Sequence, residues 1–306
     1  MDWTSSQLRS LVELTRRGTI TAVAQALGYT PGGVSQQIAA LEKATGMELL
    51  RRVGRRVELT DAGRTLARHA ERILSTEAEA VQALERSRGE VSGVLRVGLF
   101  ATAAAEILPL ALRRVHETHP GLDVHSRDMD VDEVYDAVAS GAVDLALGLD
   151  YPDVPIPRDP ALRVTQLYRE RFSLAVPTGS MAGRAEISLA ETQHLRWILP
   201  WADSYYGRAV RTACRRVGVE PDVRHEVTDT AATLALVEAG IGVSTVTDLM
   251  LRLRASRFDV VRLRETVERH IVVVFRSSAE GRPTVAALLD VLRAVAESRR
   301  DVGQPG

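Results

Sequence analysis

The sequence predicts an α/β protein with a helical front: a winged helix-turn-helix, one long helix, then a region of alternating strands and helices. Three observations predict it. Short, sharply punctuated helix patterns fill residues 4 to about 60. Residues 61 to 88 keep one helical pattern with no Gly or Pro after Gly63. From Val94 onward, short apolar runs alternate with helical ones, as βαβ units do. The 306 residues leave room for two or three domains at roughly 100–150 residues each.

The first helix is expected from Thr4 to Arg17, with Thr4 as N-cap, Leu8, Leu11 and Val12 on one face, and Gly18 as its end. The second runs from about Thr21 to Leu27, and Gly28-Tyr29 makes the turn. The third opens at Thr30, whose hydroxyl can accept an N2 or N3 amide, and Pro31 fits N1, where no N–H is needed. Val34, Ile38 and Leu41 form its buried stripe. Two short helices about a tight turn make a helix-turn-helix from about Thr19 to Ile38. Leu50 to Thr60 alternates apolar and basic residues around Gly54, as a two-stranded wing rimmed by Arg would. Arg52, Arg55 and Arg56 stand where phosphates are held, or where an Arg enters the minor groove. A plain three-helix domain has the same topology; the arginines beside the capped helix are what point to DNA.

Net charge is −1, which excludes a uniformly basic coating protein. Eleven basic against seven acidic residues up to Arg72 nevertheless concentrate positive charge at the front. The helix from Asp61, read as its cap, to about Arg88 carries Leu66, Ala70, Ile73, Leu74, Val81 and Leu84 near one stripe. It therefore seeks a partner helix and argues for dimerisation. Residues 87 to 93 form the expected hinge.

These residues resemble the N-terminal domain of the LysR-type transcriptional regulators. The likeness is dense over residues 3–65: Ala-x-x-Leu in the second helix, Val34-Ser35-x-x-Ile38-x-x-Leu41-Glu42, Gly46, Leu49-Leu50-x-Arg52 and Leu59-Thr60-x-x-Gly63. The resemblance implies a dimerising linker helix and a two-lobed effector domain like a periplasmic binding protein. It also implies dimers or tetramers, and ligand-dependent control of promoter DNA. On this reading residues 1–60 bind DNA, 61–90 link and dimerise, and 91–306 sense an effector. Lobe I covers about 94–163 and 269–306, and lobe II about 164–268.

The family commonly reads Ser-Gln-Pro-Ala at the start of the recognition helix. This chain has Thr30-Pro31-Gly32-Gly33, so that Gln contact cannot be carried over. Two glycines in a first turn cost about 0.8–1 kcal/mol each relative to Ala. Either they are merely tolerated, or they let bare amides approach a phosphate closely. Base readout then falls to Ser35, Gln36 and Gln37, with Gln36 preferred because Gln can bridge adenine N6 and N7.

In the sensing half, strands are expected at 95–99, 124–125, 144–148, 197–199, 223–227, 243–246 and 271–275. Leu167 to Val176 is read as the beginning of the second lobe. One helix follows Phe100 and ends before Pro120; others lie near 206–217, 231–239 and 283–299. Ligands of wound sheets sit beyond strand carboxyl ends. Thr102, Pro200, Trp201, Thr228 and Asp229 occupy such places and are the effector candidates, with Tyr205, Tyr206 and Arg208 as weaker ones. Each has a plainer reading, as N-cap or filler. Helix N-termini favour an anion; Asp229 facing the cleft favours an amine. A carboxylate, an amino acid and an aromatic ligand all stay open.

Neither cofactor nor metal is expected. Cys214 is the only cysteine, and Asp150, Asp153 and Asp159, spaced by Pro, read as a loop. The run Cys214-Arg215-Arg216 is the kind that lowers a thiol pKa, although no resolving thiol accompanies it. No Gly-x-Ser-x-Gly, P-loop or His-Glu-x-x-His motif argues for an enzyme. A solute-binding protein is disfavoured by the 90-residue front and by a start, MDWTSSQLRS, without a signal core. With no long apolar run, a cytoplasmic protein that avoids membranes is expected.

Overall fold

Thr4, Thr19 and Thr30 stand before the three short helices, and each hydroxyl accepts an amide from the first turn it precedes. The computed structural model, which describes residues 2–53, 56–86, 91–253 and 257–302, thus gives α1 (Ser5–Arg17), α2 (Ile20–Leu27) and α3 (Pro31–Thr45). Gln7 completes a capping box with Thr4. The second helix starts one residue before the expected Thr21 because Thr19, not read as a cap, bonds the Ala22 amide. Gly28 sits at φ 69° in the left-handed region, which only glycine enters freely, and so makes the turn into α3.

The chain divides into two compact units, Met1–Gly89 and Glu90–Gly306. In the first, Leu8, Leu11, Val12, Ile38, Leu41 and Leu49 pack with Ala67 and Ala70 of α4 (Asp61–Arg86). The strands β1 (Leu50–Val53) and β2 (Arg56–Leu59) pair antiparallel, Leu50 opposite Leu59 and Val53 opposite Arg56. Asp61 does not cap α4. Thr60 does, accepting the Gly63 amide at 3.0 Å, while exposed Asp61 pairs with Arg64 at 2.5 Å. The early part of α4 lies on α1, where Leu66 and Leu74 are half-buried and Ala67 and Ala70 fully buried. Ile73 is exposed; the side chains of Val81 and Leu84 lie outside the described residues.

In the second unit, β3 (Gly93–Leu99) runs parallel to β4 (Leu122–Asp128) and β5 (Leu145–Asp150). The sheet is completed by β6 (Leu162–Arg171) and β13 (Glu268–Arg276), in the order β4-β3-β5-β13-β6, with β13 antiparallel to both neighbours. A second sheet has the order β11 (Ser244–Val246), β7 (Ser173–Pro177), β12 (Phe258–Leu263), β8 (Glu186–Ile187). Beside it, β9 (Arg196–Leu199) pairs parallel with β10 (Asp222–Glu226).

The helices are α5 (Ala101–Glu106), α6 (Leu108–Thr118), α7 (Val134–Ala139), α8 (Tyr205–Arg216), α9 (Thr230–Glu238), α10 (Asp248–Leu251) and α11 (Pro283–Val302).

Two further expectations need correcting. Leu167 to Val176 does not belong as a whole to the second lobe. β6 ends in the first sheet, β7 belongs to the second, and the change falls at Phe172, whose amide bonds Val267 O on the returning chain at 2.8 Å. This places residues 164–171 with the first sheet. The helix after Phe100 is also two segments meeting at Ile107, because Pro109 has no amide hydrogen to continue the ladder.

Candidate functional site

On the front unit the candidate recognition surface begins at Thr30, whose hydroxyl takes the Gly33 amide at 3.1 Å behind Pro31 at N1. A Cβ on Gly33 would stand 3.2 Å from that same hydroxyl, whereas one on Gly32 would meet nothing within 4 Å. Gly33 is thus small for the cap's sake, while the outer face at Gly32 is open. Gln36 is exposed on α3. Ser35 is exposed too, but its hydroxyl bonds back to Pro31 O at 3.0 Å. Gln37 is half-buried, with its amide oxygen held by the buried Ser10 hydroxyl of α1, so only its amino group remains for an outside contact.

The wing is fastened to this helix by Glu42. Its Oε1 accepts the amides of Leu49 at 2.8 Å and Leu50 at 3.1 Å, a role that reading Leu41-Glu42 as a motif had not disclosed. Arg52 and Arg56 lie on the two strands, opposite Val57 and Val53, with side chains outside the described residues. Arg55 lies outside them altogether. Arg51, next to them, is paired with Glu58 at 3.0 Å.

In the second unit a cleft of about 550 Å³ opens at the carboxyl ends of β3, β4 and β5. Thr102, Pro200, Trp201, Thr228 and Asp229 all line it. Thr102 is buried in the first turn of α5. Asp229 caps α9 through the Ala232 amide at 2.7 Å. Gly207 lets α8 close onto this wall, since a Cβ there would lie 2.0 Å from Trp201 O. Trp201 keeps 55% of its surface exposed. Of the weaker candidates, Tyr206 lines the cleft, while Arg208 stacks on Tyr205 at 4.3 Å and neither of those two is a lining residue.

Sequence reasoning named Tyr206 but missed the rest of the floor. Tyr151, Tyr206 and Phe172 stack, with ring centroids 6.2 and 5.3 Å apart. Beneath them Arg269, 3% exposed, is gripped by Glu170 Oε2 from Nε at 2.8 Å and Nη2 at 2.7 Å, and Nη2 also reaches Thr247 Oγ1 at 2.8 Å. Burial works against the guanidinium charge, yet the Glu170 carboxylate holds its pKa above the ordinary value. Applying the carboxyl-end rule to every strand would have found Asp128 and Tyr151. Arg269 starts an antiparallel strand and needs the topology.

Cys214 overturns the reading of a lowered thiol pKa. It is fully buried in α8, and desolvation, helped by Glu220 and Glu265, pushes the thiol up to about 11. The neighbouring cations are spoken for: Arg215 pairs with Glu220 at 3.1 Å and Arg216 with Asp153 at 2.7 Å. Peroxide at neutral pH is therefore expected to leave Cys214 a thiol in the folded chain. Dimedone labelling read by mass spectrometry checks this; labelling as fast as in the urea-unfolded chain would show the prediction wrong. Among the described residues there is no group of three or more His, Cys, Asp or Glu able to hold a metal, and no helix long and apolar enough to cross a membrane.

Two family models match: "Bacterial regulatory helix-turn-helix protein, lysR family" over residues 5–64, and "LysR substrate binding domain" over residues 88–297. The transcriptional regulator ClcR of Pseudomonas putida is 32% identical over 249 residues, covering 78% of this chain and 81% of its own. A probable hydrogen peroxide-inducible genes activator of Mycobacterium avium is 27% identical over 282 residues, 90% of this chain and 89% of that one. Among solved structures, full-length CbnR in complex with its target DNA is 26% identical with a TM-score of 0.56, covering 96% of this chain and 99% of CbnR.

Proposed function

The chain belongs to the LysR family of DNA-binding transcriptional regulators, whose members join a helix-turn-helix to an effector-binding domain, and from that membership we propose which residues do the binding. Residues 1–60 grip promoter DNA and 61–90 join protomers into a dimer or a tetramer of paired dimers. A small-molecule effector enters the cleft walled by Thr102, Pro200, Trp201, Thr228 and Asp229. Arg171 and Glu268 bound the two lobes. The protein works in the cytoplasm and is a regulator, not an enzyme.

The observation that carries this reading is the pairing of a sharply capped α3 with a wing held to it by Glu42. That clamp fixes α3, which carries Gln36, and the strands β1 and β2 in one frame, so that base and phosphate contacts can be made together. A lone basic loop would give affinity without register.

Fluorescence anisotropy with the full-length protein, on a fragment from its own promoter and on a scrambled one, tests the reading. Gln36→Ala is expected to lose about 1–3 kcal/mol of preference between them. Arg55→Ala weakens binding to both alike and reduces the salt slope by about 1. Equal affinity of the parent protein for the two DNAs at modest salt, with inducer supplied, would refute it.

A further inference from the structure

We propose that the effector is an organic cation, an amine or ammonium carried on an apolar body, rather than the anion that helix N-termini alone would favour. This rests on reading the cleft as the effector site and adds the charge class of the ligand.

Six carboxylates line the cleft among the described residues: Asp128, Asp130, Asp132, Glu133, Asp203 and Asp229. Arg269 is the one cation among the described lining residues, and Glu170 already pairs with it through two of its nitrogens. An incoming carboxylate would have to share that guanidinium with a buried Glu170 and enter through an acidic rim. Two of the helix ends at the cleft are occupied as well. Asp229 caps α9 with its own side chain, and the Tyr205 amide at the start of α8 faces Asp132 Oδ2 at 3.4 Å.

Asp132 lines the cleft with Asp130 and Asp203. Asp130 comes from its own turn and Asp203 from the loop before α8. Both act on Asp132, with Arg208, itself stacked on Tyr205, the cation opposing them. Desolvation and these like charges push the Asp132 carboxyl above its ordinary value. A ligand ammonium beside Asp132 would offset the like charges that act on it.

Two further groups fit a cation with an apolar body. The Tyr151 hydroxyl on the cleft floor is buried without a hydrogen-bond partner, and it can accept from an ammonium N–H. Trp201 offers a largely exposed indole on the cleft wall, the best of the aromatic faces for a cation.

The test uses the full-length protein and matched probes: putrescine against adipate, and 2-phenylethylamine against 3-phenylpropionate. Each is added at about 10 mM to a thermal-shift assay and to operator-binding anisotropy. At least one amine is expected to raise Tm and change operator affinity, with no effect from its carboxylate twin. Asp132→Asn together with Asp203→Asn should weaken that amine at least about tenfold. Both substitutions are isosteric, and the new side-chain amide at position 132 keeps an oxygen for the Tyr205 N–H. Asp159→Asn, outside the cleft, should leave the amine response unchanged. A response to the carboxylates alone, or no response to either amine, overturns the cation while leaving the cleft reading intact. A response that survives both the double substitution and Trp201→Ala overturns the cleft reading itself.

Discussion

Replacing Glu170 with alanine is expected to lower the stability of the second unit by about 3–5 kcal/mol, the cost of stranding a buried charge. Arg269 is 3% exposed, and Glu170 takes two of its nitrogens. The other carboxylate oxygen accepts the Leu249 amide in the first turn of α10 at 2.8 Å. One substitution thus takes the counter-charge from a guanidinium and the acceptor from a backbone amide together. At about 2–4 °C per kcal/mol for a unit of this size, Tm should fall by roughly 6–20 °C. Glu170→Leu combined with Arg269→Met removes both charges and should recover much of the loss, because the penalty comes from the survivor and not from the missing attraction. Thermal and urea unfolding of the parent, single and double variants measure this. A loss under about 1 kcal/mol in Glu170→Ala would mean that water reaches the guanidinium.

Gly63→Ala is expected to destabilise the DNA-binding unit by about 2–3 kcal/mol, against the sign that helix propensity gives. Propensity alone favours alanine inside a helix by about 1 kcal/mol. Here the new Cβ would lie 2.2 Å from the Leu49 carbonyl oxygen, and 3.3 Å from the Leu59 Cβ. A backbone oxygen cannot turn aside as a side chain does. To make room, the start of α4 must leave the wing and strain the Thr60 amide bond to Leu49 O, now 2.9 Å. Chemical denaturation fixes the sign, and a stabilised variant would refute the contact. Operator affinity should fall too, because the hairpin is carried on that junction.

These two sites mark where sequence reading stops. Thr30-Pro31 was legible because a cap acts over three residues, and the same locality made Gly28 and the α3 stripe readable. Gly63 was legible as part of a pattern but not as a cause, since its reason is a carbonyl fourteen residues earlier. The five cleft residues shared a rule about strand ends, and the fold brings all five onto one wall system. Glu170 and Arg269, 99 residues apart in sequence, meet only through an antiparallel pairing that no periodicity announces. Cys214 went wrong for a different reason: its charged neighbours are visible in the sequence, but its desolvation is not. Thr60 displaced Asp61 as a cap because the hydroxyl one residue earlier already has the Gly63 amide in reach.

The position of β13 bears on how the chain comes to fold as it is made. It fills the gap between β5 and β6, yet it is the last strand in the sequence. Until residue 276 has left the ribosome, β5 has an open edge and β6 has no neighbour at all, whereas every strand of the inserted second sheet is already out by residue 263. The half that begins first therefore finishes last, and the nascent chain spends about a hundred residues of synthesis, several seconds or more, with the strand edges that β13 will join still unpaired.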